Sequence, residues 1–271
     1  MAQEWSVKEP QVIDVTGVRR LSLRLVAGEA DVVTSTASAS DGGAARVEVH
    51  LVDGAPLHVE LDGDGTLTVA HERLTWGGLL QWVRPGRARV HVSVSVPHDT
   101  EVELGVVSAD ATVSGVSGRT SVKSVSGAVT LDGCTGEVTA ETVSGPLEAR
   151  SLDGQLRFKS VSGELTVVDG STTSLSAQSV SGEMVLDLMA MSGDLALKTV
   201  SGDMTLRLPA DASLRVEAKT VSGQLTASGF DEVAHDGKPG NNRLTAVIGG
   251  GSSELVAKSV SGSLTVLRRD S

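Results

Sequence analysis

Six histidines, one cysteine and 34 acidic residues are the groups in this chain able to serve as base, nucleophile or metal ligand. His50, His58 and His91 lie on the outward side of alternating segments, where a cross-strand pair could hold a metal. Asp62 and Asp64 resemble a fragment of a calcium loop, but the ~12-residue ligand pattern and its closing Glu are missing. Turn chemistry in Asp62-Gly-Asp-Gly65 accounts for them. Cys134 occupies an apolar position of a repeat and reads as a small buried side chain, not as a nucleophile. No Gly-x-Ser-x-Gly elbow is present. The acids recur with the repeat instead of clustering, and a glycosidic acid/base pair needs two of them converging on one bond. The sequence therefore assigns no catalytic residue, no metal ligand and no cofactor.

The segment His71 to Gly86 is different in kind. It carries two of the three Trp of a chain with two Phe and no Tyr. Trp76, Leu79, Leu80 and Trp82, beside Arg73, Arg84 and Arg87, would make an apolar anchor with a cationic rim, suited to a protein partner or a membrane surface. The alternative is a loop folded over the end of the molecule.

Composition narrows the classes further. Aromatics make up 2% of the 271 residues, so the core must be aliphatic, and 31 glycines against 7 prolines point to many tight turns. A net charge of −11 repels phosphate backbones, which argues against nucleic acid as a partner. A single cysteine allows no internal disulfide. The opening residues lack the apolar stretch of a signal peptide, and no apolar run approaches the ~18 residues that span a bilayer. The expectation is a cytoplasmic chain, with any membrane contact peripheral.

These features serve a repeat. Val-Ser-Gly begins at Val116, Val125, Val143, Val161, Val180, Val200, Val221 and Val260, with Met191-Ser-Gly193 as a variant. Cys134-Thr-Gly136 and Leu152-Asp-Gly154 fall nine residues from each neighbouring triplet. The unit is thus eighteen residues with two similar but inequivalent halves. Each half alternates after its glycine with period two, the mark of a strand with one buried face. Leu147, Ala149, Leu156, Phe158, Leu165, Val167, Leu195, Leu197, Met204, Leu206, Leu264 and Val266 are expected to point inward.

Short half-buried strands bury their faces by stacking. The expected fold is all-β, a β-helix-like solenoid of ~18-residue coils at the ~4.8 Å strand spacing. The triplet valines are expected to form one interior column. Lys123, Glu141, Lys159, Gln178, Lys198, Lys219 and Lys258, each two residues before a triplet Val, read as a structural charge ladder. Residues 1–105 lack the exact period but keep the strand alphabet, as in Leu57-His-Val-Glu-Leu61 and Arg89-Val-His-Val-Ser-Val-Ser-Val96, and read as a β-rich N-terminal cap region continuous with the solenoid. Residues 106–271 are the repeat solenoid, with an insertion near 229–242 whose Asp236-Gly-Lys-Pro-Gly240 reads as an exposed loop.

The reiterated Ser/Thr-Val-Ser-Gly-x-Leu/Met/Val pattern, preceded by an alternating strand closing on Val96-Pro97, resembles the bacterial Toastrack family of unknown function, also labelled "putative adhesin", over residues 20 to 267. The resemblance implies a right-handed stack and an association with membrane-stress signalling modules. The expected function is a non-enzymatic scaffold or protein-interaction module, with homo-oligomers allowed. Two other classes stay open: a carbohydrate-binding or polysaccharide-active β-helix protein, and a self-assembling structural protein.

Overall fold

A strand that alternates inward and outward residues returns to the same face after an even number of steps. A half-repeat of nine residues therefore needs one slip of parity in every half. The computed structural model, which describes residues 2–36, 38–71, 88–238 and 241–269, shows where the slips occur. They lie at two kinds of corner.

At the first kind, the Val and Ser of the triplet both face outward. Val161 and Ser162, Val180 and Ser181, and Val200 and Ser201 are all exposed. The residue before them turns inward, and its hydroxyl accepts a hydrogen bond from the triplet's glycine N–H: Gly163 to Ser160 at 2.6 Å, Gly182 to Ser179 at 2.9 Å, Gly202 to Thr199 at 3.0 Å. That bond satisfies a corner amide that would otherwise be buried unpaired. Glycine is required by close approach, not by an unusual φ. A Cβ on Gly182 would lie 2.0 Å from the Gly163 carbonyl oxygen of the neighbouring coil.

At the second kind, a residue in the left-handed region makes the slip: Gly115 at φ 74°, Gly133 at 59°, Ser151 at 49° and Asp169 at 53°. After the first three of these, the next residue, Val116, Cys134 or Leu152, is buried. The interior valine column is thus corrected. Val143, Val161, Val180, Val200, Val221 and Val260 are 38–51% exposed, because the cap needs the inward place for a hydroxyl. The strand residues expected to point inward do so, and among the described residues Phe158 is the only buried Phe or Trp.

The chain divides into two compact units, Met1–Val138 and Thr139–Ser271. The first contains β1 (Gln3–Val7), β2 (Gln11–Val15), β3 (Arg20–Leu25), β4 (Ala27–Ser35), β5 (Ala45–Gly54), β6 (Leu57–Leu61), β7 (Thr66–His71), β8 (Ala88–Pro97), β9 (Glu101–Val106), β10 (Asp110–Ser114), β11 (Thr120–Ser124) and β12 (Val129–Asp132), followed by β13 (Thr135–Thr142). Parallel pairs set Ala111 opposite Val129 and Val102 opposite Thr120, a step of eighteen residues each. The opening coil does not sit at an end. Leu21 of β3 lies between Leu67 of β7 and Val102 of β9, and Ala30 of β4 between Val92 of β8 and Ala111 of β10. Outside them, antiparallel strands close both ladders: β6 on β7 with β1 on β6, and β5 on β8 with β2 on β5. The Asp62-Gly-Asp-Gly65 turn joins β6 to β7 as a hairpin. Asp62 Oδ1 accepts from the N–H groups of Asp64 and Thr66, both at 2.9 Å.

The second unit contains β14 (Leu147–Arg150), β15 (Asp153–Ser160), β16 (Leu165–Gln178), β17 (Met184–Met191), β18 (Leu195–Lys198), β19 (Met204–Leu208), β20 (Leu214–Thr220), β21 (Leu225–Ser228), β22 (Glu232–Lys238), β23 (Asn241–Ile248), β24 (Ser253–Lys258) and β25 (Leu264–Arg268). One parallel ladder runs Leu147, Leu165, Met184, Met204, Leu264, Leu225, and the other runs Leu156, Leu175, Leu195, Leu255, Val216. The closing coil, β24 and β25, is therefore threaded between coils that precede it in sequence. The expected loop at 236–240 belongs in part to β22, a strand antiparallel to β23, which itself pairs with β20.

Candidate interaction surface

Stacking places the exposed valines in one row. Backbone bonds link the corners in the order Val143, Val161, Val180, Val200, Val260, Val221: Ser162 N–H to Val143 O at 2.8 Å, Ser181 to Val161 at 2.9 Å, Ser201 to Val180 at 2.9 Å, Ser261 to Val200 at 2.8 Å and Ser222 to Val260 at 3.0 Å. At ~4.8 Å per strand the row is about 24 Å long. The triplet serines bond back along it, Ser162 Oγ donating to Val143 O at 3.3 Å and Ser261 Oγ to Val200 O at 3.3 Å. The result is an apolar ridge backed by satisfied hydroxyls.

Each side of the ridge carries charge. On one side Lys159 faces Gln178, Gln178 faces Lys198, Lys198 faces Lys258, Lys258 faces Lys219 and Lys219 faces Arg243. Threading of β24 puts Lys258 between Lys198 and Lys219, so four cations follow one another where sequence order interleaves neutral or acidic residues only early in the array. Glu217 relieves part of the repulsion, with Lys219 Nζ at 2.6 Å and Arg243 at 3.1 Å. The hydrogen bond and charge of Lys219, aided by Arg243 and Lys258, hold the Glu217 carboxyl below its ordinary range. On the other side stand Glu164, Glu183 and Asp203, giving way to Ser263 and Gln224, all exposed or half-buried.

A second charged cluster is structural. Asp187 accepts from Arg207 and, at 2.6 Å, from Arg269, whose guanidinium lies 3.7 Å from Asp169. Arg207 first, then Arg269, holds the Asp187 carboxyl below its ordinary range. The pair ties the end of the threaded coil to earlier ones.

The sequence-proposed residues distribute as follows. Arg73, Trp76, Leu79, Leu80, Trp82, Arg84 and Arg87 lie outside the described residues. His50 Nε2 is 3.1 Å from Ser93 Oγ, and His91 Nδ1 is 3.8 Å from Glu29. Among the described residues no three His, Cys, Asp or Glu groups gather as a metal site would need. Cys134 is buried, and burial pushes its thiol pKa up. The sequence pattern did not single out one group: His71, on the inward parity of Leu67 and Val69, is 5% exposed, and neither ring nitrogen has a hydrogen-bond partner among the described residues. No helix among the described residues is long and apolar enough to cross a membrane.

No curated protein matches the chain. Among solved structures, a "putative lipid binding protein" from Parabacteroides distasonis aligns at 12% identity and TM-score 0.50, covering 97% of each chain. A "putative adhesin" from Bacteroides fragilis aligns at 11% identity and TM-score 0.45, covering 98% of this chain and 96% of its own. At such identities the first likeness speaks to fold alone. The Toastrack family profile (DUF4097) matches residues 21–267, the span that holds both corner types and the threaded coils, and the chain belongs to the Toastrack family.

Proposed function

We propose that this protein is a non-enzymatic scaffold whose stacked coils hold the valine ridge out to a protein partner. The observation that carries the reading is the ridge. Six β-branched apolar side chains stand 38–51% exposed at positions where threonine would serve the backbone equally well. The Trp76–Trp82 segment is proposed as a second contact on composition alone. A component of membrane-stress signalling is the partner we favour, and that rests on the family resemblance.

A lipid-facing reading draws support from the cationic run Lys198, Lys258, Lys219 and Arg243 beside the ridge. Cross-linking in cell extract, with wild type and a Val180→Asp/Val200→Asp variant compared side by side, tests the main reading. The expected result is a specific partner lost from the variant at unchanged melting temperature. Equal capture by both proteins, or hydrolysis of a polysaccharide abolished by one Asp or Glu substitution, would contradict it. Sedimentation with anionic vesicles that wild type shows and the variant lacks would favour the lipid reading.

A further inference from the structure

The two units finish their ladders differently. In the first unit both ladders carry two extra antiparallel strands, and their inward residues Val7, Ile13 and Val15 are buried. In the second unit only one ladder is extended, by β23 and β22. The other stops at β21, whose ladder partner among the described residues is β25 alone. Two consequences are visible. The inward positions of β21, Leu225 and Ala227, are only half-buried. On β22, Val233 and His235 share the face of Ala246 and Leu244, yet Val233 is 41% exposed and His235 is exposed as well. A groove of about 280 Å³ runs between them, lined by Leu225, Thr226, His235, Asn242 and Arg243 among others.

The free edge dictates what fits. Gln224 C=O accepts from Leu264 N–H at 2.8 Å, so by the alternation of a parallel ladder the N–H and C=O groups of Leu225 and Ala227 face away from β25. Leu225, the first residue of this edge, lines the groove. An unpaired edge beside an uncovered apolar wall takes a strand. We infer that this groove is an acceptor for an extended peptide segment of another protein, which adds to β21 as β6 adds to β7. Alternate residues of the peptide are apolar and cover Leu225 and Val233. Its charge is acidic, because the described lining holds the Arg243 guanidinium, met from outside the groove by Glu217 at 3.1 Å, and no carboxylate, in a chain of net charge −11. The groove shares Gln224 and Arg243 with the flanks of the valine ridge but none of its valines.

The probe is a labelled peptide with the sequence of residues 55–62, Ala-Pro-Leu-His-Val-Glu-Leu-Asp, which contains the strand that covers the corresponding edge of β7. Anisotropy should rise saturably with full-length protein, and amide exchange should slow at 225–228. Ala227→Pro removes a donor on the free edge while sparing the pairing with β25. It should weaken binding at least tenfold with the melting temperature retained, and Val233→Asp should do the same. The Val180→Asp/Val200→Asp variant should bind the peptide as wild type does, which keeps this test separate from that of the ridge. Absence of saturable binding, equal binding by Ala227→Pro, or protection of 225–228 by self-association without peptide would overturn the proposal.

Discussion

His71 shows what one buried group does to the pH response. Burial first, and the nearby charge of His58 second, lower its pKa from the ordinary histidine value. The folded state keeps it neutral while the unfolded chain takes up a proton below pH ~6.5. The unfolded state then binds more protons, so stability is full above that value and falls as pH drops, by at most about 1.4 kcal/mol per pH unit for one group. His71→Leu should flatten the denaturation free energy between pH 7.5 and 5.5 relative to wild type. An identical slope in both proteins would show that His71 does not titrate in this way. This histidine is legible from parity, since Leu67, Val69 and His71 alternate, and its inward place sets it apart from the outward His50, His58 and His91. The contact residues proposed around Trp76 and Trp82 rest on composition and lie outside the described residues.

At the scale of the element, the repeat was legible because its period is arithmetic. Steps of eighteen residues between paired strands and the inward Leu and Val positions follow from it. The direction of the triplet valines did not follow, because parity cannot be carried through a corner without knowing which residue slips. The Ser or Thr before each Val held the answer, as an inward hydroxyl placed to accept from the glycine amide. The order of coils was not legible either. Every coil offers its neighbours the same backbone ladder and similar side chains, so nothing local marks β24 and β25 as an inserted pair. Leu255, Ala257, Leu264 and Val266 are each at most 1% exposed, and strands contact them on both sides. Ending the chain at Gly251 should therefore abolish cooperative melting of the second unit instead of fraying a terminus, as calorimetry would read. A retained transition with a shift of only a few degrees would contradict the threaded order.

For the molecule as a whole, an acidic chain with few aromatics secures its fold through repeated corners and keeps a row of apolar side chains outside. The account stands on the division of each Ser/Thr-Val-Ser-Gly corner into a structural inside and a free outside. The melting temperature of a Val180→Thr/Val200→Thr/Val260→Thr variant tests it most directly. Threonine keeps the β-branched shape, and substitutions away from buried features usually stay within about 0.5 kcal/mol each. In a chain of this size about 1 kcal/mol moves the midpoint by about 2–4 °C. The predicted result is a midpoint within ~5 °C of wild type, while Val266→Thr alone, at a fully buried position, lowers it further than the triple change. A triple variant that loses more than the single buried one would mean that the ridge valines hold the fold together and are not a surface kept for a partner.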